Sequence, residues 1–315
     1  MPARWRRRLA WALLLALAAC APSVFAATSS PDTAVAWWMW PLALFVVCVV
    51  LGVIAVPAGV GGGVLFVPIV SSIFPFHLDF VRGAGLLVAL ASALAAGPRL
   101  LRSGLADLRL ALPLGLVASA SSIGGAVIGL ALPASVVQVA LGATILGIVA
   151  LMASAKRSEV PEGVVPDRWS SALRIHGVFH DAASGSDVSW RVHRTPLGLA
   201  LFTGVGVLAG MFGMGAGWAN VPVLNLVMGV PLKVSAGTSS FILSLVDSSA
   251  AWVYLNGGAV LALVTLPSVI GMMLGARIGA RLLTVLRASV VRKIVLTLLL
   301  FAGARALLKG LGIWN

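Results

Sequence analysis

Read for polarity alone, the chain is a series of long apolar runs separated by short clusters of charge and glycine. Pro41 to Pro57, Gly83 to Ala96 and Leu110 to Leu132 carry no charged residue at all. At 1.5 Å rise per residue, about 20 apolar residues match the hydrocarbon core of a bilayer. A soluble domain can bury one such helix but not a succession of them. The pattern therefore predicts an all-α polytopic membrane protein surrounded by a lipid bilayer.

The runs also repeat. Displacing the chain against itself by 154 residues aligns Gly59, Gly61, Gly63 and Pro68 with Gly213, Gly215, Gly217 and Pro222 without a gap. The same shift brings Gly83 onto Gly237, Gly104 onto Gly258, Pro113 onto Pro267 and Gly125 onto Gly279. Apolar residues align easily by chance, whereas glycine and proline do not. Each copy divides into five apolar segments, 38–58, 64–76, 83–101, 108–131 and 134–153, then 197–212, 218–230, 235–255, 259–282 and 289–309. The second segment of each copy is short and follows a glycine-rich break, so it either crosses the membrane as a broken helix or re-enters.

Charge separates these topologies. The third-to-fourth loop is basic in the first copy (Arg99, Arg102, Arg109) and uncharged in the second (Asn256-Gly257-Gly258). The fourth-to-fifth loop is uncharged in the first copy and basic in the second (Arg277, Arg281, Arg287, Arg292, Lys293). Basic loops stay in the cytoplasm, so the copies are expected to be inverted relative to one another. That gives transmembrane repeats at 37–153 and 196–310, joined by a polar cytoplasmic linker at 154–195. The end of the linker reads as a β-hairpin: Ala172 to His180, a turn through Ala183-Ser184-Gly185-Ser186, then Asp187 to Arg194.

Composition strengthens this reading, with 60% hydrophobic and 10% charged residues against about 45–50% and about 25% in soluble domains. The formal charge of +13 would suit nucleic acid, but the basic residues sit between apolar segments, so no nucleic-acid partner is expected. At the N-terminus, Arg4 to Arg8 precede an apolar stretch to Ala21 and small residues at Val24-Phe25-Ala26. This is the layout of a signal peptide over 1–26. Leu17-Ala18-Ala19-Cys20 also fits a lipoprotein cleavage box, and a retained signal anchor is the third alternative. Cys48, within an apolar run, reads as a small core residue.

The breaks at Gly59-Val60-Gly61-Gly62-Gly63 and Gly213-Met214-Gly215-Ala216-Gly217 are the first candidates for chemistry. Non-helical backbone inside a membrane must be satisfied by protein or by water in a cavity. Two helix starts related by inversion would make a central anion site; close packing through small residues is the plainer alternative. Asp247 is the acidic residue within a predicted span, and a carboxylate there marks function by default: a proton carrier, a cation partner or a gate; a neutral Asp held in an interhelical polar contact is the equal alternative. Thr238, Ser239 and Asn220 would add polar contacts. Arg82 and Lys233 would draw anions to the two mouths, or else sit as ordinary helix-end charges near headgroups. His176, His180 and His193 share a hairpin face if His176 lies opposite His193. Surface histidines are the plainer reading, and no metal or cofactor is expected. Walker A and HExxH motifs do not occur, so an enzyme is not expected.

Gly210-Met211-Phe212-Gly213-Met214-Gly215-Ala216-Gly217-Trp218-Ala219-Asn220-Val221-Pro222, followed by Pro231-Leu232-Lys233 and Gly237-Thr238-Ser239, resembles the TauE/SafE family of sulfite exporters. Gly59 to Pro68 resembles the same motif in the family's first half, and the resemblance covers about residues 40–310. It implies a secondary transporter of small sulfur-containing anions such as sulfite, sulfoacetate or thiosulfate in the bacterial inner membrane. The second motif reads Gly-Met-Gly-Ala-Gly where Gly-Gly-Gly is usual, which leaves the substrate open. Under this reading Gly59, Gly61, Gly62, Gly63, Gly213, Gly215, Gly217, Asn220, Thr238 and Ser239 bind the anion and Asp247 couples protons. The competing readings are a membrane assembly or sensor protein acting through the hairpin, and a passive anion channel. A homo-oligomer is compatible with the sequence, which holds no feature that sets it.

Overall fold

Polar residues between the apolar runs set where helices begin. Asp107 stands just before the run from Leu108, and its carboxylate accepts the Leu110 N–H at 2.8 Å, satisfying a donor that the first helical turn leaves open. Proline at the start of Thr195–Phe212 serves the same boundary without needing a donor. The computed structural model describes residues 38–58, 61–102, 105–154, 164–181, 186–282 and 288–313; the expected signal segment 1–26 and Gly59 lie outside the described residues.

The first five helices are α1 (Met39–Ala58), α2 (Gly62–Ile73), α3 (Leu78–Arg102), α4 (Leu108–Ala131) and α5 (Ala134–Ser154). A helical turn α6 (Arg168–Ala172) and an antiparallel hairpin of β1 (His176–Asp181) and β2 (Ser186–Arg191) follow. Then come α7 (Thr195–Phe212), α8 (Gly217–Pro222) with a π-turn at Val223–Val227, α9 (Leu232–Asn256), α10 (Ala262–Leu282) and α11 (Ala288–Gly310). Four of these helices, α3, α4, α7 and α10, are long and apolar enough to cross a membrane by length and composition. The outside of the bundle is apolar: Leu116, Trp252, Leu266 and Phe301 are each more than 60% exposed. In water such a surface would aggregate; in a bilayer it is the lipid contact. The protein is a mostly helical, multi-pass membrane protein.

Helices approach closely where side chains are small. Gly271, Gly275 and Gly279 of α10 face the backbone of α1 at Phe45, Val49 and Val53. Both numberings rise together, so α1 and α10 run parallel. Gly206 and Gly210 of α7 lie against Ala118 and Ser122 of α4, again in parallel. By contrast, α5 and α11 are antiparallel, because Gly142 meets Leu307 while Gly310 meets Val139. The pair α3 and α9 is antiparallel too: Gly83 meets Ala259, and Gly237 meets Leu105. Several contacts recur 154 positions on, as Gly83–Ala259 does in Leu105–Gly237 and Gly125–Val207 in Gly279–Val53.

The same logic orients the second short segment. Gly115 of α4 lies by Ile242 of α9 and Gly257 lies by Leu130, so α4 and α9 are parallel, as are α4 and α7. Helices α7 and α9 therefore share a direction, and the chain between them has to return. It does so through α8 and the π-turn, reaching Met228, which packs on Gly198 at the start of α7. Pro222 inside this segment disturbs the i→i+4 ladder, and Met228 N–H bonds back five residues to Val223 O at 3.0 Å.

The hairpin departs from its expected register. His176 pairs with Arg191, not His193, a shift of two residues that preserves faces but separates the two histidines expected to oppose each other. Two local bonds cause it. The His193 N–H donates to Met228 O at 3.2 Å, which takes it out of the ladder. Asp167 caps α6, so Ala172 belongs to a helical turn and not to the strand expected to begin there. The hairpin's Phe179, Trp190 and Val192 share an apolar core with Phe202, Met228 and Val230.

Asp167 also anchors α7. Its carboxylate accepts from Ser170 N–H at 2.8 Å, Thr195 N–H at 2.8 Å and the Thr195 hydroxyl at 2.9 Å. Partial burial works against ionisation, but the bonds from Ser170 and Thr195 outweigh it and hold this carboxyl below its usual range. A group whose pKa is depressed by folding stabilises the fold above its unfolded pKa, about 3.9 for Asp. That contribution is lost as pH falls from there through the folded value. Protection of the Ser170 and Thr195 amides, measured against their intrinsic exchange rates at each pH, is thus expected to fall below about pH 4. Asp167→Ala should cause roughly fivefold faster exchange at pH 7, matching an N-cap worth about 1 kcal/mol.

Candidate functional site

Helix α7 ends because Gly213 adopts a left-handed conformation, φ +67°, with its N–H bonded to Ala209 O at 3.0 Å. Gly213 lies against the backbone of Arg82 on α3. Two residues on, Gly215 (φ +73°) faces both Ala89 of α3 and the carboxylate of Asp247 on α9. A Cβ placed on Gly215 would stand 3.2 Å from each carboxylate oxygen. Only glycine brings backbone this close while holding that φ.

The first break arrives at the same point. Gly63 packs on the Met214 carbonyl and on Ala89, and Gly61 faces Leu243, one turn before Asp247. Gly62 points away, against the Met272 thioether of α10. The two glycine motifs thus meet at Ala89, with Asp247 against the second, although nothing in their linear spacing requires them to touch.

Three polar groups on α8 and α9 have no partner. Asp247 is fully buried, and neither carboxylate oxygen accepts a hydrogen bond. Asn220 of α8 is fully buried with both amide atoms unpaired. The indole Nε1 of Trp218 is buried and unpaired as well. Buried polar atoms are almost always satisfied, and each unsatisfied one costs about 1–3 kcal/mol. Asp247 lies against the second break, and Asn220 and Trp218 lie on the short helix that follows it. In the first copy, Ala93 and Phe66 stand 154 positions before Asp247 and Asn220, so the site is asymmetric.

Thr238 and Ser239 are buried but stand more than two helical turns from Asp247, about 12 Å along α9. The Thr238 hydroxyl accepts the Asp107 N–H at 3.2 Å, so it ties the start of α4 to α9. Gly217 begins α8.

Arg82 occupies a different place from the one expected. It does not stand at a mouth but is 1% exposed inside the bundle. Its Nη1 donates to Met211 O at 2.9 Å and Gly129 O at 3.1 Å, and its Nη2 donates to Gly129 O and to Asp79. The guanidinium lies 5.6 Å from the Tyr254 ring centroid, and the Tyr254 hydroxyl donates to Gly210 O at 3.1 Å. Gly129 and Met211 end α4 and α7, so Arg82 neutralises open carbonyls and dipole ends of two helices. The chain's single tyrosine, set in an apolar stretch, is the one sequence signal of this node.

Glycine breaks that meet inside the bundle, unpaired buried polar groups on α8 and α9 and an apolar exterior are compatible with a solute path through a membrane. The chain belongs to the sulfite exporter TauE/SafE family, whose sequence profile matches residues 42–306. It is similar to the probable membrane transporter protein YunE of Bacillus subtilis (strain 168), at 26% identity over 279 residues, covering 85% of this chain and 98% of the relative. No solved structure matches.

Proposed function

We propose that this protein is a secondary transporter of a small anion, a sulfur oxyanion or organosulfonate, in the bacterial inner membrane, with Asp247 coupling transport to protons. The observation that carries the reading is the unpaired carboxylate of Asp247 against the second glycine break, with unpaired Asn220 and Trp218 on the short helix that follows that break. The backbone of Gly61, Gly63, Gly213 and Gly215 shapes the site, and Asn220 orients the anion. Repeats 37–153 and 196–310 are inverted, with 154–195 as a cytoplasmic linker. Supporting this, the equivalent helices α3 and α9 are antiparallel, as are α5 and α11, and their contacts recur with the repeat offset. Alternating access would then rock one repeat against the other around a fixed site.

The test is flux of radiolabelled sulfite, thiosulfate, sulfoacetate and sulfate in proteoliposomes, with and without a pH gradient. Accumulation driven by the gradient is expected for at least one anion, and equilibration without accumulation would indicate a channel. Asp247→Asn should abolish gradient-driven accumulation while leaving folded protein; unchanged coupled flux would remove Asp247 from this role. Deleting the hairpin would strip Phe179 and Trp190 from the core they share with Met228. Substitution of its exposed Val178 is the cleaner control, and a transporter should keep its flux.

A further inference from the structure

The charges buried in the bundle bear on which anions it can hold. Among the described residues, the buried charged side chains are Arg82 and Asp247. Arg82 is occupied: its two terminal nitrogens serve Asp79, Gly129 O and Met211 O, and only Nε is without an acceptor. It also lies a layer away, since Arg82 and Ala89 are two turns apart on α3, about 10 Å. The unpaired donors on α8, the helix that follows the second break, are neutral: the Asn220 amide and the Trp218 indole N–H.

The other helices packed on α9 bring no cation to Asp247. On α3 the charged groups are Asp79 and Arg82 at one end and Arg99 and Arg102 at the other. Beside α4 they are Asp107 and Arg109 at its start, and α7 and α8 carry none. Lys233 stands in the first turn of α9 itself, at the opposite end from Tyr254.

Resting on the transport reading above, we propose that the site selects monoanions and carries each with one proton. An ionised Asp247 facing an anion at van der Waals distance would place two like charges in a low-dielectric interior. A protonated Asp247 instead donates its O–H to an anion oxygen, and the anion's charge takes the place of the carboxylate's. The buried charge is then one in both the empty ionised state and the loaded state. A dianion would raise it to two with no cation to offset it. Binding breaks no covalent bond except the transfer of one proton from solvent to the carboxylate, which is returned on release, so the cycle moves no net charge.

Methanesulfonate and hydrogensulfite are the monoanionic probes; sulfate and thiosulfate are the dianionic ones. In proteoliposomes the monoanions are expected to compete with one another, and the dianions to inhibit at least ~100-fold more weakly, as an uncompensated buried charge requires. Sulfite flux should fall as pH rises through its second ionisation, and capacitive recordings on supported membranes should show no sustained current. Comparable inhibition by a dianion, or a steady current, overturns the proposal while leaving an anion transporter. No flux of any probe, from folded protein, overturns the transport reading and this inference together. Asp247→Asn, a permanently neutral donor of the same shape, should still bind methanesulfonate, now independently of pH. Its binding a dianion as tightly would also count against the charge argument.

Discussion

Gly213→Ala is expected to cost the protein most of its folded yield. Two effects add at this position. Left-handed backbone costs a residue with a Cβ about 1–2 kcal/mol, and Gly213 has φ +67°. The new methyl would also meet the Arg82 backbone, and overpacking of that kind adds about 1–3 kcal/mol. Backbone cannot swing aside as a flexible side chain can. Gly204, on the same helix with nothing within 4 Å of where a Cβ would stand, is the control. Gly204→Ala should unfold like wild type in detergent. Thermal unfolding of both variants with size-exclusion profiles checks this; equal midpoints would show that the break tolerates ordinary helical backbone.

Arg82→Met has the second largest expected effect. It removes the donors to Gly129 O and Met211 O and takes the guanidinium from Asp79, which is 28% exposed and keeps His77 at 3.4 Å. Each buried carbonyl left without its donor costs about 1–3 kcal/mol. Arg82→Lys should lie between, because an ammonium is a compact donor that cannot fork between carbonyls and carboxylate. Tyr254→Phe removes only the hydroxyl bonds to Gly210 O and Met211 O and should cost about 1 kcal/mol. A double-mutant cycle with Arg82→Met would then reveal coupling, since both side chains serve the end of α7. Strict additivity would mean that they act independently.

Arg82 and Gly213 serve the architecture, and both lie close to Asp247 for a structural reason. The backbone of Arg82 packs on Gly213, and Gly215 touches Asp247. The node that ends α7 therefore also sets the position from which the broken segment approaches the carboxylate. A change in Arg82 should reach Asp247 through this short connection, whereas Asp167, at the other end of α7, should act on stability without altering which anion is bound.

Much of this is legible in the chain itself, because bilayer physics writes itself into linear sequence. A span needs an apolar stretch of set length, so α1, α4 and α5 follow their predicted limits within a few residues. The breaks announce themselves because glycine is costly in a helix and appears twice at one offset. Asp247 stands out because an acidic residue within an apolar run is rare for energetic reasons. Arg82 reads wrongly as a helix-end charge near a mouth, since its compensation comes from carbonyls of α4 and α7 far away in sequence. The hairpin register escapes the pattern because its last expected rung is lost to Met228 O, a partner on another element.

Local rules of length, periodicity and the cost of burying charge suffice for the membrane class, the spacing of the helices, the two glycine breaks and the presence of one intramembrane carboxylate. Each of these can be read from the order of residues. Packing in three dimensions was needed to show that the breaks meet at Ala89, that Asp247 and Asn220 are unpaired while Thr238 is engaged, and that Arg82 is occupied by helix ends. Those facts depend on which surfaces lie against each other. Hydrogen-bond partners more than 40 residues apart leave no periodic trace in the chain.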